Sequence, residues 1–554
     1  MYLKSIKQTD LISQIMVGAT NLMTKKLLSL HPYIHDANVT YYDGNKCHYI
    51  KIERLKQVKK FSYPGHEKHG AFHADTLKKD KDLAFLNIDW DNLTEICMTI
   101  GGVSNDEVVG QVMQVEQPFK ATRIDHHYAH KLSADWLFGD HDKALVIDGC
   151  GDNSNHTSMY DCIPEAGNVK FIDDRDPYPM SIGWWYAKMS DKFCPGAEKE
   201  ENWKDGAFVD NAGKLMGLAS YGNRIKGYYE WLRKRPYDDF CIDAFNFERV
   251  RKFGYEIEGK RKPELQTAYG YVQDTVMGIT PHHVDWLYTA QEVLFEKIIN
   301  YVLDSYNEKD EFTYTGGVAH NVNLNALMQQ VFPNMKIPPY VGDEGLSLGG
   351  MYYLLQKHQI KADIPKYQAD VEILPQPKFV TIAKMAEEIS RGLIVANHQM
   401  GAEIGPRALG NRSIFYRPDM ANAPKLFNIR GIKKREWWRP YGISLLQEDA
   451  NRFLTTPVPS PYMLHTSTLT EEGKKALSGV VHVDGTVRYQ TVENDWYALM
   501  LMQLKRLTGS SAVVNTSLNS FGKPLSHTIE DTKKFAEEAK PDLTFIGDDI
   551  YAQV

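Results

Sequence analysis

The stretch IDHHYAHKLSADW, residues 124–136, gathers imidazole groups just before an acidic strand end. His126 and His130 are four positions apart, so on a helix both rings project from one face and can share a metal ion. Asp148 ends the apolar run KALVID, and Asp343 lies in the acidic, glycine-broken context YVGDEGLSLGG, which predicts a strand, then Asp-Glu-Gly, then a helix. Imidazoles combined with carboxylates are typical of iron, manganese or zinc sites. The pattern predicts such a site, while two satisfied helix histidines remain the alternative.

Two glycine-containing turns could bring backbone N–H groups close to phosphates. Gly149 and Gly151 lie in DGCGD, and Gly316 and Gly317 lie in TYTGGVAHN. Neither turn matches the Walker or the dinucleotide fingerprint, so neither of those folds is implied. A tight turn between strands is the alternative for each.

Basic side chains gather in four segments beyond residue 400, among Gly, Pro and Asn residues. Several guanidinium groups close together are suited to bind phosphate or carboxylate anions, so the segments predict an anion site. Solvated surface charge is the alternative. The segments are GPRALGNRSI, NIRGIKKREWWRP, VDGTVRY and NTSLNSFGKP, and their basic residues include Arg407, Arg412, Lys433, Arg435, Arg439 and Arg488.

The elements that position these groups follow an α/β pattern. Residues 27–57 predict strand, turn, strand, and KALVIDGCGDNSNHTSMYDC repeats the plan, so Asp36 and Asp148 would each follow the first strand of a pair. This indicates a duplicated architecture. Residues 284–309 predict an amphipathic helix, and FTYTGGVAHNVNLNALMQQV predicts strand, glycine turn and helix. Strands that alternate with helices define the α/β class.

The length of 554 residues exceeds what one hydrophobic core supports, so we expect two domains. Residues 357–378 lose periodicity and contain three prolines, which favours a boundary there. We therefore divide the chain into residues 1–365 and 366–554.

Composition excludes several classes of protein. The net charge of -7 gives no global basic field for nucleic acid. The six cysteines form no C-x-x-C pair, which indicates a reducing, cytoplasmic setting without a disulfide framework or zinc ribbon. Lys25 and Lys26 interrupt the apolar N-terminal stretch, which predicts an amphipathic helix rather than a signal peptide or membrane span. The oligomeric state stays open, with a homodimer as one option.

Ten ordered motifs resemble those of the ATP-dependent O-carbamoyltransferases, a family that includes the nodulation-factor, cephamycin and tobramycin carbamoyltransferases. The resemblance runs from about residue 28 to the C-terminus. It implies a duplicated actin/hexokinase-like (ASKHA) N-terminal domain followed by a YrdC-like domain, and it leaves the role of residues 1–27 open. The motifs are HDANVTYYDGN, IDHHYAH, VIDGCGD, KLMGLASYG, TGGVAHNVNLN, GDEGLSLGG, GPRALGNRSI, IKKREWWRP, HVDGTVRYQTV and NTSLNSFGKPL.

The resemblance also implies a two-stage reaction. Carbamoyl phosphate and ATP, with Mg²⁺, would give carbamoyl-adenylate and pyrophosphate in the YrdC-like domain. An acceptor hydroxyl would then take the carbamoyl group in the N-terminal domain, and AMP would leave.

Residue by residue, the resemblance implies four sets of functional groups. The catalytic pair would be His35 and Asp36, and the ligands of ferrous iron or another divalent metal would be His126, His130, Asp148 and Asp343. The implied nucleotide-binding residues of the N-terminal domain are Gly149, Gly151, Lys214, Gly217, Gly316, Gly317 and Asn321. The implied carbamoyl phosphate and ATP site of the C-terminal domain comprises Arg407, Lys433, Arg439, Arg488, Asn515, Ser517 and Asn519.

The acceptor is not specified by the sequence. We expect a small-molecule hydroxyl, with a hydroxymethylated nucleobase in DNA as the alternative, because residues 224–265 mix basic and aromatic side chains that could grip a strand. The residue counts favour a solvated helical insertion over strand binding in this stretch. An actin-like sugar kinase would leave the arginine clusters without a role. A non-catalytic binding protein would not need the histidines.

Overall fold

The fold is that of a computed structural model. It describes residues 25–32, 35–63, 74–99, 120–149, 151–152, 157–160, 167–169, 181–193, 212–244, 250–254, 256–260, 281–370 and 372–551. The amphipathic helix expected at the N-terminus lies outside these ranges.

The first sheet has the order β3-β2-β1-β4-β5. The hairpin neighbours β2 and β3 run antiparallel beside the central β1, while β4 and β5 run parallel to it. Leu28 and Leu30 of β1 are buried because the sheet is covered on both faces. Its strands are β1 (Leu27–His31), β2 (Asn38–Tyr42), β3 (Cys47–Lys51), β4 (Glu95–Met98) and β5 (Lys120–Arg123).

The second sheet repeats this order, as β8-β7-β6-β9-β10, with an antiparallel side and a parallel side. Asp36 and Asp148 therefore occupy matching places after the central strands β1 and β6, which confirms the two predicted strand–turn–strand units. The strands are β6 (Ala144–Ile147), β7 (Thr157–Tyr160), β8 (Gly167–Val169), β9 (Phe312–Thr315) and β10 (Met335–Lys336).

Helices of the N-terminal part cover both sheets. The predicted helix at 284–309 begins and ends earlier, at Pro281 and Leu303. The helices are α1 (Ile52–Lys56), α2 (Ala74–Lys78), α3 (His126–Phe138), α4 (Ile182–Phe193), α5 (Ala212–Ala219), α6 (Lys226–Leu232), α7 (Tyr237–Ala244), α8 (Pro281–Leu303), α9 (Val322–Val331) and α10 (Leu346–Lys357). Short 3₁₀ turns span Lys81–Leu86, Trp90–Asn92, Arg251–Phe253, Gly317–His320 and Asp343–Gly345.

Helices α3 and α10 cross closely. A Cβ at Gly349 of α10 would overlap the carbonyl oxygen of Ala129 in α3, so only glycine permits this approach. The prediction of a strand directly before Asp343 is wrong. Strand β10 ends at Lys336, and Asp343 opens a 3₁₀ turn that leads into α10.

The C-terminal part is built on one mixed sheet of order β14-β15-β13-β16-β12-β11-β17-β18. Its strands are β11 (Val395–His398), β12 (Arg412–Tyr416), β13 (Gly442–Leu446), β14 (His465–Thr468), β15 (Thr486–Val492), β16 (Val513–Ser517), β17 (Leu543–Ile546) and β18 (Asp549–Ile550). Its helices are α11 (Phe379–Ser390), α12 (Ala423–Ile429), α13 (Ala450–Phe453), α14 (Glu471–Ala476), α15 (Asp495–Thr508) and α16 (Ile529–Ala539), and Gln447–Asp449 forms a 3₁₀ turn. The whole fold is therefore mixed α/β.

Residues 358–370 and 372–378, which connect the parts, contain neither helix nor strand. The segment still packs on the first sheet: the backbone N–H of Lys51 donates to Gln368 Oε1 at 3.0 Å, and that of Ala369 donates to the carbonyl of Tyr49 at 2.6 Å. Within the described ranges, no helix combines the length and apolar character that a bilayer crossing requires.

Candidate active site

Two histidines and two aspartates converge from three elements, which are helix α3, the end of strand β6 and the 3₁₀ turn that begins at Asp343. Asp125 caps α3 by accepting from the backbone N–H of Tyr128, which sets His126 at the first helical position. The Nε2 atoms of His126 and His130 lie 3.0 Å and 3.2 Å from Oδ2 of Asp148. Both also lie 3.5 Å from Oδ1 of Asp343.

We call His126, His130, Asp148 and Asp343 the histidine–aspartate cluster. All four residues are buried, and one potential ligand atom from each lies within 4.8 Å of the others. Two imidazole nitrogens with two carboxylate oxygens suit a divalent ion such as iron, manganese or zinc. The donor set predicted from the sequence is therefore brought together and fits a metal.

Electrostatics within the cluster balance buried charges of opposite sign. Burial opposes ionisation of Asp148, but hydrogen bonds from His126 and His130 hold its pKa well below the usual range. Burial likewise opposes protonation of His126, yet the charge of Asp343 and the hydrogen bond to Asp148 raise the pKa of this imidazole. Both carboxylates thus remain anionic and available to a cation.

Glycine backbone supports the cluster. The N–H of Gly317 donates to Oδ1 of Asp148 at 2.9 Å. Gly316 has a φ of 91°, and a Cβ there would overlap the backbone of Ile147. Both glycines serve the geometry of Asp148, and their use for nucleotide binding stays a prediction.

His35 stands beside the cluster and is held by an ionic network. Its Nδ1 lies 2.8 Å from Oδ2 of Asp36, and its Nε2 lies 3.6 Å from Oδ2 of Asp343. Lys51 and Lys60 contact the Asp36 carboxylate at 2.5 Å and 2.6 Å. Burial raises the pKa of Asp36, but Lys51 and Lys60 outweigh burial and hold it well below its usual range. An anionic Asp36 fixes the His35 ring and leaves Nε2 facing the cluster.

The C-terminal part contributes a second group of charges, which we call the cation cluster: Arg407, Lys433, Arg435 and Arg439. Burial and neighbouring Arg439 lower the pKa of Arg407 and of Arg435 to about 10. Burial, with Arg435 and Lys59, lowers the pKa of Lys433 well below its usual range. Lys433 is buried and the three arginines are half-buried, so these like charges on one wall favour a bound anion, which would relieve their repulsion.

One cavity of about 890 Å³ joins the two clusters. His35, Asp148 and Asp343 form part of its wall, and the cation cluster forms another part. The halves meet around it: Arg54 donates to the carbonyls of Gly405 at 3.0 Å and Leu525 at 3.4 Å. We call this space the shared cavity.

Other residues predicted for the site fall into two groups. Those that line the shared cavity are Gly149, Lys214, Gly317, Asn321, Ser517 and Asn519. Lys214 pairs with Glu436 across the halves at 3.1 Å, and Lys433 donates to Asn519 Oδ1 at 2.8 Å. Those outside its described lining are Gly151, Gly217, Gly316, Arg412, Arg488 and Asn515.

The residues outside the lining have structural surroundings of their own. A Cβ at Gly151 would meet the His127 ring, and one at Gly217 would lie 3.3 Å from the Trp438 carbonyl. Asn515 donates to the Ala408 carbonyl and to Ser444 Oγ. Arg412 donates to backbone carbonyls, including that of Gln399 at 2.6 Å. The prediction that Arg412 belongs to the anion site is therefore wrong.

Sequence reasoning missed three residues. His31 Nε2 lies 3.5 Å from Asp343 Oδ2, and its Nδ1 lies 3.1 Å from the Thr99 carbonyl. Lys51 and Lys60 hold Asp36. The single sequence signal for Lys51 is a charged residue at the end of a buried strand, where it is 1% exposed. Lys60 lies in a turn and gives no such signal.

The described part of 224–265 is tied into the fold. Arg224 pairs with Glu292, and Arg235 contacts Asp239 and Asp243 at 2.8 Å each. Tyr228 and Leu232 belong to the core beneath α6. These arginines are engaged within the chain, and none of the described residues of this stretch lines the shared cavity.

The fold and the site together define a mixed α/β protein that unites a metal-type cluster with a cationic pocket. Two family models match it: "Carbamoyltransferase N-terminus" over residues 107–351 and "Carbamoyltransferase C-terminus" over residues 386–553. The chain belongs to the carbamoyltransferase family.

Similar proteins support this placement. Nodulation protein NolNO of Sinorhizobium fredii is 28% identical over 75% of this chain and 61% of its own length. An uncharacterized protein of Methanocaldococcus jannaschii is 30% identical over 76% of this chain and 72% of its own length. The 3'-hydroxymethylcephem-O-carbamoyltransferase of Amycolatopsis lactamdurans is 28% identical over 62% of this chain and 65% of its own length. The chain thus spans about three-fifths of the length of NolNO.

Proposed function

We propose that this protein is an ATP-dependent O-carbamoyltransferase that forms carbamoyl-adenylate and transfers its carbamoyl group to a small-molecule hydroxyl. The observation that carries the proposal is the shared cavity, where an anion-binding wall faces a metal-type cluster with an adjacent oriented imidazole. The cephem O-carbamoyltransferase among its relatives supports the acceptor chemistry.

The first stage would use the cation cluster. Arg407 and Arg439 would hold phosphate oxygens, while Lys433, fixed by Asn519, would neutralise further charge with Mg²⁺ on the ATP. Water would convert carbamoyl phosphate to carbamate and inorganic phosphate, and a carbamate oxygen would then attack the α-phosphate of ATP, so that the bond to the β-phosphate breaks and pyrophosphate leaves. Positioning and charge neutralisation are the contributions of these side chains.

The second stage would use His35. The acceptor oxygen attacks the carbamoyl carbon, the bond from that carbon to the AMP phosphate oxygen breaks, and its electron pair leaves with AMP. Nε2 of His35 takes the hydroxyl proton, because Nδ1 is engaged by Asp36 at 2.8 Å. A divalent ion, ferrous iron or another metal, in the histidine–aspartate cluster would supply Lewis-acid polarisation of the carbamoyl carbonyl.

We also propose that residues 1–365 form an actin/hexokinase-like domain and residues 366–554 a YrdC-like domain. Support comes from the repeated strand order of the first two sheets and from the separate mixed sheet beyond them. A reducing, cytoplasmic setting is supported by the free thiols of Cys47 and Cys97.

A small-molecule acceptor is favoured over a DNA base because Arg224 and Arg235 are engaged by carboxylates of the same chain. Incubation with ATP, carbamoyl phosphate and candidate acceptors, followed by mass spectrometry, tests the function by the gain of one carbamoyl group. A salt series separates the acceptor classes, because carbamoylation of DNA would fall steeply with salt and that of a sugar or antibiotic alcohol would not. Absence of ATP-dependent gain on every acceptor, together with absence of pyrophosphate release, would contradict the proposal.

A further inference from the structure

His320 is an imidazole on the wall of the shared cavity that the two-stage reaction does not use. It ends the 3₁₀ turn Gly317–His320, whose first residue donates its N–H to Asp148 at 2.9 Å. Its side chain is 29% exposed and lines the cavity. The turn that supports a predicted metal ligand therefore also places this ring within reach of a bound substrate.

A buried carboxylate orients the ring. Nε2 of His320 lies 3.5 Å from Oε1 of Glu344, whose side chain is 1% exposed and which directly follows Asp343. A Cβ at Gly342 would lie 2.9 Å from Glu344 Oε2 and 3.1 Å from His320 Nε2, so the glycine permits the approach. With Nε2 turned to Glu344, Nδ1 is the nitrogen left for a ligand.

The surroundings keep this imidazole neutral. Burial, with the charges of Arg407 and Lys60, lowers the pKa of His320 well below its usual range. A neutral imidazole has one N–H donor and one lone pair. In the tautomer whose Nε2 carries the N–H, beside Glu344, the lone pair lies on Nδ1.

Three other hydrogen-bond acceptors on this wall already have partners. The Asp36 carboxylate is held by Lys51 and Lys60, Asn519 Oδ1 accepts from Lys433, and Asn321 Oδ1 accepts from the Leu324 N–H. Lysine and arginine side chains only donate. The basic side chains suit phosphate and carbonyl oxygens, and His320 adds an acceptor for an NH₂ group.

We propose that His320, oriented by Glu344, accepts a hydrogen bond from the carbamoyl NH₂ and so selects carbamoyl over acetyl donors. The inference rests on the proposed function. An acetyl group has the same shape but places a methyl against Nδ1, which leaves that acceptor without its hydrogen bond. His320 takes no part in bond making and acts as a specificity-determining residue.

The test compares His320→Leu, which removes the lone pair, with His320→Gln, which retains an acceptor oxygen. The control is His141→Leu, since His141 pairs with Glu311 at 3.2 Å outside the described cavity wall. AMP release to water is measured with carbamoyl phosphate plus ATP and, separately, with synthetic acetyl-adenylate. Pyrophosphate release is followed in parallel to monitor the first stage.

We expect His320→Leu to slow AMP release from the carbamoyl donor by roughly three- to tenfold, the effect of one hydrogen bond, without slowing release from acetyl-adenylate. His320→Gln and His141→Leu should retain the carbamoyl preference. Equal loss with both donors, or no loss, overturns the inference. If His320→Leu fails to fold, a loss of preference in His320→Gln overturns it. Wild-type protein without pyrophosphate and AMP release contradicts the proposed function itself, and the inference with it.

Discussion

Replacement of His35 by alanine tests the division between the two stages. The change removes an imidazole whose Nδ1 lies 2.8 Å from Asp36 and whose Nε2 faces Asp343 at 3.6 Å. Asp36 keeps its contacts to Lys51 and Lys60, so the ionic network does not depend on the imidazole alone. We therefore expect the variant to fold.

A general base contributes about 10²- to 10⁴-fold to a rate. Carbamoyl transfer by His35→Ala should fall by about that factor. Pyrophosphate release should stay within about twofold, because the cation cluster keeps every charge that holds the substrates.

The assay measures pyrophosphate release and acceptor carbamoylation in the same reaction mixture. Arg439→Ala is the matched comparison, since the cation cluster then loses a guanidinium and both products should disappear. Equal loss of pyrophosphate release and transfer in His35→Ala would refute the assignment of His35 to the second stage.

Three further predictions follow from the clusters and from the contact between the halves. Wild-type protein should bind about one equivalent of divalent metal by elemental analysis, and the His126→Ala, His130→Ala double variant should lose it; full occupancy in the double variant would contradict the metal site. Binding of carbamoyl phosphate should be accompanied by proton uptake, because the bound anion raises the depressed pKa of Lys433. The uptake should grow as the pH rises through that depressed pKa, since more of the free protein then has a neutral Lys433. Calorimetry in buffers of different ionisation enthalpy should show less uptake in Lys433→Arg, and equal uptake would count against this residue. Arg54→Met should lower the free energy of unfolding by about 2–4 kcal/mol, because two buried carbonyls lose their donor. The control Arg452→Met removes an exposed ion pair and should change the free energy of unfolding by less than about 1 kcal/mol. Equal denaturation midpoints of the two variants would exclude a stabilising role of Arg54 between the halves.

The sequence predicts the local parts of this site well. His126 and His130 are four positions apart on one helix, and Asp148 directly follows a buried strand. Helical periodicity therefore predicts that the two histidines share a face, and the end of the apolar run predicts the position of the aspartate. Asp343 was identified from its acidic, glycine-broken context, but the strand expected before it is absent from the described structure.

Tertiary contacts could not be predicted from such patterns. Arg407 and Arg412 share one motif, yet Arg407 faces the cavity while Arg412 is enclosed by carbonyl oxygens. His31 ends a buried strand and meets Asp343 across more than 300 positions of sequence. Local sequence records residue type and spacing, whereas these differences depend on which distant backbone covers each side chain.

The crossing of α3 and α10 at Gly349 bears on which ions the cluster can hold. Helix α3 carries His126 and His130, α10 follows Asp343, and at the crossing the two backbones are as close as a glycine permits. Calcium prefers ligand distances longer by about 0.3–0.5 Å than those of zinc or iron to nitrogen, and it prefers oxygen ligands. Helices already in backbone contact resist further approach, and their packed flanks resist separation. The radius of an ion bound in the cluster would thus be limited by a residue that has no side chain and lies outside the cluster.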